Sequence, residues 1–249
     1  MEAQTIDAIN EPRTSHRQKA GISVAIDGPA GAGKSTLAKR VADALNYLYI
    51  DTGAMYRAAT WVALEQKVDM NNHDLIVQLV ERADIQLAPP DEKSPGKVRV
   101  FVNGSAVSFI VRSRIITKFV SPVSAIAGVR RILVEKQKQM GQNGCVVMDG
   151  RDIGTVVLPH AEVKIFLTAS PEIRAQRRLV DMQQMGQTAD LKTIVEDIMR
   201  RDHLDSTREI APLKQAQDAV LIDTDNFSID QVTEQVLQLC HAKLASSSL

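Results

Sequence analysis

The stretch Gly28-Pro29-Ala30-Gly31-Ala32-Gly33-Lys34-Ser35-Thr36 constrains this chain more than any other, because it matches G-x-x-x-x-G-K-S/T at every fixed position. Its surroundings make the match specific. Ile22–Asp27 is a short apolar run that reads as a buried strand, and Thr36–Leu45 carries its apolar residues at helical spacing. Strand, glycine-rich loop and helix, in that order, are the setting in which such a loop cradles phosphate. Glycines let consecutive backbone N–H groups turn toward an anion, and the start of the helix adds its positive dipole end. In that arrangement Lys34 reaches the β- and γ-phosphates, and the Ser35 hydroxyl is placed for Mg2+, directly or through water.

The chain has 249 residues, enough for one body with inserted subdomains. Lys plus Arg and Asp plus Glu number 30 each, so the net charge is zero. Nothing global therefore points to nucleic acid or to an acidic membrane, and anion binding has to come from local clustering. No apolar run approaches the roughly 18 residues of a membrane span. Residues 1–20 are polar, lack the apolar stretch of a secretory signal and are expected to form a disordered tail. Cys145, in an expected buried strand, and Cys240, on an expected helix, read as reduced thiols of a cytoplasmic protein.

Beyond the loop, Tyr47–Asp51 reads as a second strand, and Asp51-Thr52-Gly53 turns into a helix over Ala54–Gln66. Arg57, just after a strand end near the phosphate loop, is a candidate for bidentate phosphate contact. Asn71–Ala83 is expected to be helical. Asp84–Ala88 and Val98–Val102 then alternate, and Asn103-Gly104 predicts a hairpin onto Ala106–Phe109. This predicts a small antiparallel sheet inserted into an α/β chain, with an exposed loop over Asp91–Gly96. Helices are expected over Arg112–Val120 and Ala125–Gln139, interrupted at Ser121-Pro122.

Cys145–Asp149 is a continuous apolar run ending in an acid, as in a parallel strand buried on both faces. Asp149-Gly150-Arg151-Asp152 places two acids and an arginine in one loop at the carboxyl end of that strand, where open α/β sheets bind ligands. An acid in the position of Asp149 often sits near Mg2+ in phosphate-loop proteins. Val163–Thr168 is the next strand. Ser170-Pro171 starts a helix on which Arg174, Arg177 and Arg178 share a face, needing an anion or acids such as Glu172 and Asp181 between them. Gln183–Thr188 reads as a loop tip and Ala189–His203 as a return helix, the form of a lid over a triphosphate. Arg201, Asp205 and Arg208 share a face if that helix continues. Ala219–Asp223 is a fifth strand, and Ser228 with Gln231 forms a capping box before the last helix.

Five apolar runs separated by helices, with the phosphate loop after the first, predict a three-layer α/β core with a five-stranded parallel sheet. The chain resembles the bacterial cytidylate kinases, a family of nucleoside monophosphate kinases. The resemblance is carried by Ile26–Thr36, Asp51–Arg57, Asp149–Val157, Val163–Leu167 and Arg201–Arg208 followed by Ala211-Pro212-Leu213. It extends from about residue 22 to the C-terminal region, leaving only the tail outside. The Asp149–Val157 segment is its most specific part. The resemblance is looser over Ser108–Val120, where Ile115 stands in place of a common acid.

The resemblance implies a single body over residues 21–249. Its core would comprise 21–52, 140–169 and 189–249, with a monophosphate-binding lobe over 53–139 and a helical lid over 170–188. It implies transfer of the γ-phosphoryl of ATP to CMP or dCMP with Mg2+, by a cytoplasmic monomer with no nucleic-acid or membrane partner. Residues Gly28–Thr36 would hold ATP. Ser121, Arg130 and Asp152 would read cytosine, while Arg57, Arg151 and Arg201 would hold the monophosphate and ribose, with Asp205 on the sugar. Thr52, Tyr56 and Asp149, in the matched segments, would complete the acceptor site. Arg174, Arg178 and Arg208 would meet the ATP phosphates, so that Lys34, Arg151, Arg174, Arg178, Arg201 and Arg208 carry the catalytic charge.

Two rivals remain at this level. One is a small phosphate-loop kinase acting on UMP, a sugar acid or shikimate. The other is a nucleotide-hydrolysing switch, against which stands the lack of an Asn-Lys-x-Asp guanine motif.

Overall fold

The structure is a computed structural model and describes residues 21–92, 98–184, 186 and 188–246. The expected tail over 1–20, most of the expected loop over Asp91–Gly96, and Met185 and Gln187 of the expected loop tip over Gln183–Thr188 lie outside the described residues. From β1 (Ser23–Asp27) the chain enters α1 (Lys34–Leu45), returns as β2 (Leu48–Asp51), and continues into α2 (Thr52–Glu65) and α3 (His73–Arg82). A short excursion follows through β3 (Ile85–Ala88), β4 (Arg99–Val102) and β5 (Ser105–Ala106). A 3-10 turn at Ile110–Arg112 leads to α4 (Arg114–Ala125) and α5 (Ala127–Gly141). The chain then runs through β6 (Val146–Gly150), a π-helical turn (Ile153–Val157) and β7 (Val163–Thr168). It finishes with α6 (Pro171–Gln184), α7 (Leu191–Thr207), β8 (Val220–Asp223) and α8 (Ile229–Ser246).

The main sheet has five strands in the order β2-β6-β1-β7-β8, and all its pairings are parallel. The central strands β1, β6 and β7 are covered on both faces, which is why they are mostly apolar, whereas the edge strands β2 and β8 are partly exposed. Leu37 and Val41 of α1 and Val232 and Val236 of α8 pack one face against Ile26 and Ile165. Ile153 and Val157 pack the other against Ile50 and Met148. A separate apolar cluster, including Met55, Ile76, Val100 and Leu133, joins α2, α3, α5 and the small antiparallel sheet. Residues Ala175, Ile194 and Ile198 hold α6 against α7.

Register decides where the chemistry collects. Asp149 pairs with Ile26 of β1 and with Asp51 of β2, so three strands end at one level. β1 lies between β6 and β7, and a ligand crevice opens outside the carboxyl ends of strands at such a switch in direction.

Three local expectations are corrected. The hairpin turns at Asn103 and Gly104, both with positive φ, but its second strand is Ser105–Ala106 and does not extend to Phe109. The Ser108 hydroxyl accepts the Val100 N–H at 2.8 Å, which satisfies that strand edge without further ladder. Second, α4 runs through Ser121-Pro122 and breaks at Ile126. Pro122 stands in its last turn, and its missing N–H leaves free only the carbonyl of exposed Lys118, which water can serve. Buried Ile116, Val120 and Val123 on one face keep the helix docked across that point. Third, Cys145 is half-buried with φ 52 and precedes the strand, completing the turn out of α5.

Candidate active site

Gly28 has φ 148, and a Cβ there would lie 1.9 Å from the Leu167 carbonyl oxygen. The loop therefore lies directly against β7 and requires glycine at its first position. α1 begins at Lys34 with Gly33 as its cap and no side-chain cap bond, which leaves its first N–H groups available to an anion. Lys34 is buried, and its Nζ donates to the Pro29 carbonyl at 2.7 Å. Burial lowers the Lys34 pKa and repulsion from Arg151 lowers it further, against the pull of Asp149 and Asp27. A bound phosphate would reverse that shift.

Asp149 ends β6 across from the loop. The Ser35 hydroxyl donates to its Oδ2 at 2.8 Å, and the Tyr49 hydroxyl donates to its Oδ1 at 2.7 Å. The Thr52 hydroxyl donates to its backbone carbonyl at 2.7 Å, tying the start of α2 to the same point. Burial and then the nearby Asp51 raise the Asp149 pKa.

A cleft of about 240 Å³ opens in front of this corner. Its walls bring together Ala30, Gly31, Lys34 and Ser35 of the loop, Thr52, Tyr56 and Arg57 of α2, Ser121 of α4, and Asp149, Arg151 and Asp152. Arg130, Arg178, Arg201, Asp205 and Arg208 also line it. On one side Arg130 and Asp152 form an ion pair with side chains 3% and 5% exposed. Arg208 approaches the other Asp152 oxygen at 3.5 Å, Arg130 also donates to the Ser124 carbonyl at 3.2 Å, and its guanidinium lies 5.5 Å from the Tyr56 ring centre. The Asp152 pKa is raised by burial against the pull of Arg130 and Arg208. Such a site presents a carboxylate and guanidinium donors to a planar polar ligand.

On the other side the cleft is crowded with cations. Arg151 Nε donates to Asp205 Oδ2 at 2.8 Å, and Arg57 donates to the Thr117 hydroxyl at 2.9 Å. Arg201 is buried with its Nε unpartnered. Burial, followed by Arg151 and Arg57, lowers the Arg201 pKa to about 9. Burial likewise lowers Arg57 to about 10, against the pull of Asp51 and with repulsion from Arg178. Burial raises the Asp205 carboxyl, but Arg151, Arg201 and Arg208 outweigh it and hold the group below its ordinary range. Guanidinium groups packed this closely repel one another, and an anionic ligand would relieve them.

The three arginines expected to share a face of α6 separate. Arg178 enters the cleft. Arg177 donates to the Thr224 hydroxyl and carbonyl at 2.9 and 2.8 Å. Arg174 lies behind the phosphate loop, donating to the carbonyls of Ala169 and Ala30 and pairing with Asp202 at 2.6 Å. The acids expected to balance the group, Glu172 and Asp181, make none of these bonds. Arg208 lines the cleft while engaged by Asp152 and by the Ala211 carbonyl, to which its Nε donates at 2.6 Å.

A second cleft, about 470 Å³, lies across the loop and is lined by Ala32, Gly33, Thr36, Arg177, Thr224 and Phe227, among others. Gly31, Lys34 and Ser35 face both clefts, while Gly28 and Pro29 form the loop's base and line neither. Sequence reading passed over Tyr49, Thr117, Ser124, Thr224 and Phe227. Their positions in strands, after strands or on helix faces carry no motif: only the fold brings Ser124 to the first cleft, Thr224 and Phe227 to the second, Tyr49 onto Asp149 and Thr117 onto Arg57. Asp27 was visible as the acid directly ahead of Gly28, but its partners were not.

Compared with known proteins, the chain matches the family model described as cytidylate kinase over residues 24–242. It is 49% identical over 223 residues to the cytidylate kinase of Geobacillus sp. (strain WCH70), covering 90% of this chain and 98% of the relative. It is 51% identical over 216 residues to that of Anoxybacillus flavithermus, covering 87% and 94%. It is 48% identical over 222 residues to that of Bacillus subtilis, covering 89% and 97%.

Proposed function

This chain belongs to the cytidylate kinase family, and we propose that its clefts bring ATP and CMP or dCMP together for transfer of the γ-phosphoryl group, giving ADP and CDP or dCDP. One observation carries the reading at the site: a phosphate loop faces, across one cleft, a second set of arginines and a buried Arg130–Asp152 pair. A nucleotide-hydrolysing protein needs one phosphate site, whereas this arrangement suits two phosphorylated ligands and a base.

The triphosphate lies along the loop, with Lys34 and the open N–H groups of α1 on its β- and γ-phosphates. Its adenosine extends into the second cleft beside Arg177, Thr224 and Phe227. Arg57, Arg151 and Arg201 hold the acceptor phosphate, and Asp205, paired with Arg151, takes a sugar hydroxyl. Cytosine carries an amino donor beside a ring-nitrogen acceptor. Asp152 accepts from the first and Arg130 donates to the second, with Ser121 at the pocket wall. Uracil would turn a carbonyl toward Asp152 and lose that bond.

An acceptor-phosphate oxygen, already ionised near neutral pH, attacks the γ-phosphorus in line. The bond to the β–γ bridging oxygen breaks, and its electron pair leaves on ADP. No strong general base is needed, and the rate comes from positioning and charge, with Arg178 on the transferring group. Ser35 and Asp149 gather hard oxygen donors at one point, which fits Mg2+ bound mainly through nucleotide phosphates and water. When bound there, Mg2+ would neutralise charge on the β- and γ-phosphates.

Residues 53–139 act as the acceptor lobe and 170–188 as a lid on the core, closing to exclude water and limit hydrolysis of ATP. The working unit proposed is a monomer. The free thiols of Cys145 and Cys240 support a cytoplasmic setting. No helix among the described residues is long and apolar enough to cross a membrane.

The test is a coupled assay of ADP formation with ATP and Mg2+, offering CMP, dCMP, UMP, AMP, GMP or no acceptor. Turnover confined to CMP and dCMP is expected. Equal turnover with UMP would overturn base reading by Asp152, and turnover independent of any acceptor would overturn the function.

A further inference from the structure

Asp152 opens the π-helical turn Ile153–Val157 and stands where a capping side chain would bond the turn's first N–H groups. It makes no such bond, because its carboxylate is turned toward Arg130 and Arg208. Those N–H groups are taken instead by Asp27, at the end of β1. Ile153 N–H donates to Asp27 Oδ1 at 2.8 Å, and Gly154 N–H donates to Oδ2 at 2.7 Å. Both oxygens are used, and Asp27 is 4% exposed. The turn is pressed close: a Cβ at Gly154 would lie 3.4 Å from Asp27 Oδ2 and 3.2 Å from Lys164 Cδ. Asp27 itself does not line the cleft described above.

We infer that Asp27 is a positioning residue for the acceptor nucleotide: by capping the turn in place of Asp152, it leaves the Asp152 carboxylate free to face Arg130, Arg208 and the base. A buried N–H left without a partner is costly, and Asp152, already at the capping position, is the acceptor best placed to take it. Weakening Asp27 therefore draws Asp152 away from the pocket. The inference rests on the proposed function in taking CMP as the ligand before Asp152.

The test is Asp27→Asn, which keeps the shape but accepts only one N–H and turns its own amide donor toward the other. CMP and ATP binding are measured by calorimetry and their KM values by the coupled assay. For CMP, Kd and KM are expected to rise roughly tenfold, while both stay within about twofold for ATP. A merely structural role would loosen the phosphate loop as well, so an equal loss for both ligands overturns the inference, as does no change. Action through Asp152 also predicts non-additivity. Added to Asp152→Asn, Asp27→Asn should raise the CMP KM less than about twofold more, and a full multiplicative effect overturns the inference. Should Asp27→Asn not fold, Asp27→Glu keeps both acceptors but shifts the turn by one methylene. The same selective loss of CMP supports the inference there, and equal loss overturns it. The unaltered protein separates the two levels: its failure to phosphorylate CMP would end the proposed function, whereas normal turnover beside an unselective Asp27→Asn ends only the role of Asp27.

Discussion

The Ser35 hydroxyl donates to Asp149 Oδ2 at 2.8 Å, although the two residues are 114 apart in the chain. They meet because β1 and β6 are neighbours in register, so the loop leaving one strand faces the acid ending the other. Asp149 is thus placed to hold the loop hydroxyl and, through it or through water, a metal ion.

Asp149→Asn keeps the shape and removes the charge. The Mg2+ concentration for half-maximal turnover should rise about tenfold or more, as for loss of a partner behind a metal ligand. A Mg2+ titration at saturating ATP and CMP decides this, and an unchanged midpoint would remove Asp149 from the metal's surroundings.

Lys34→Ala should lower kcat by roughly a hundredfold or more, because a buried cation aimed at the transferring phosphates is lost. The fold should survive, since the Nζ bond to Pro29 lies within the loop itself. Circular dichroism and a thermal melt run beside the assay separate the two effects, and normal turnover in a folded variant would sink the mechanism.

Asp152→Ala should raise the KM for CMP much more than that for ATP. It also leaves Arg130 buried without its partner, so a stability loss of about 3–5 kcal/mol is expected in denaturant unfolding. Equal changes in the two KM values would mean that Asp152 does not read the base.

Arg201→Met removes a buried cation whose Nε is unpartnered and whose pKa is depressed by burial and by Arg151 and Arg57. Stability without ligand should change by no more than about 1 kcal/mol, because the charge contributes repulsion as well as attraction. The rise in Tm given by CMP should largely vanish, with cytidine as the control lacking a phosphate. A CMP-induced shift equal to that of the unaltered protein would exclude Arg201 from phosphate binding.

Asp27 carries a pH dependence whose sign follows from its surroundings. Burial raises its pKa from 3.8 to about 6, against the Gly154 and Ile153 N–H bonds, with Asp152 raising it further and Lys34 lowering it. The aliphatic stem of Lys164 packs beside the same turn. The folded state thus binds the proton more tightly than the unfolded chain. The associated stability is fully present below about pH 3.8 and is lost as pH rises through about 6. Relative to Asp27→Asn, the unaltered protein should lose up to about 3 kcal/mol across that window. Urea unfolding of both proteins at several pH values gives the difference directly, and a flat difference would contradict it.

Much of the molecule was legible in order along the chain. The phosphate loop, the five core strands and the capping box at Ser228 and Gln231 depend on residues close in sequence, and each is present at its expected place, the first three strands and the fifth each starting one residue late. The density of charge at Asp149–Asp152 likewise marked the cleft, because strand ends at one level of a parallel sheet collect there. Local rules failed where tertiary packing outweighed them. Pro122 did not break α4, whose buried face holds it in place, and the second hairpin strand ended early when Ser108 satisfied the edge.

By itself, then, the sequence determined the strand–loop–helix cradle, the α/β layering and the residue types that would gather at the strand ends. Tertiary structure alone decided which partner each long or charged side chain took. Arg174, Arg177 and Arg178 are neighbours on one helix, yet they reach Ala30 and Asp202, Thr224, and the cleft respectively. Asp27 reaches across 126 residues to cap the turn that Asp152 begins. The physical reason is range: backbone preference is set by near neighbours, whereas a charge or an unpaired N–H is satisfied by whatever acceptor the fold brings within about 3 Å.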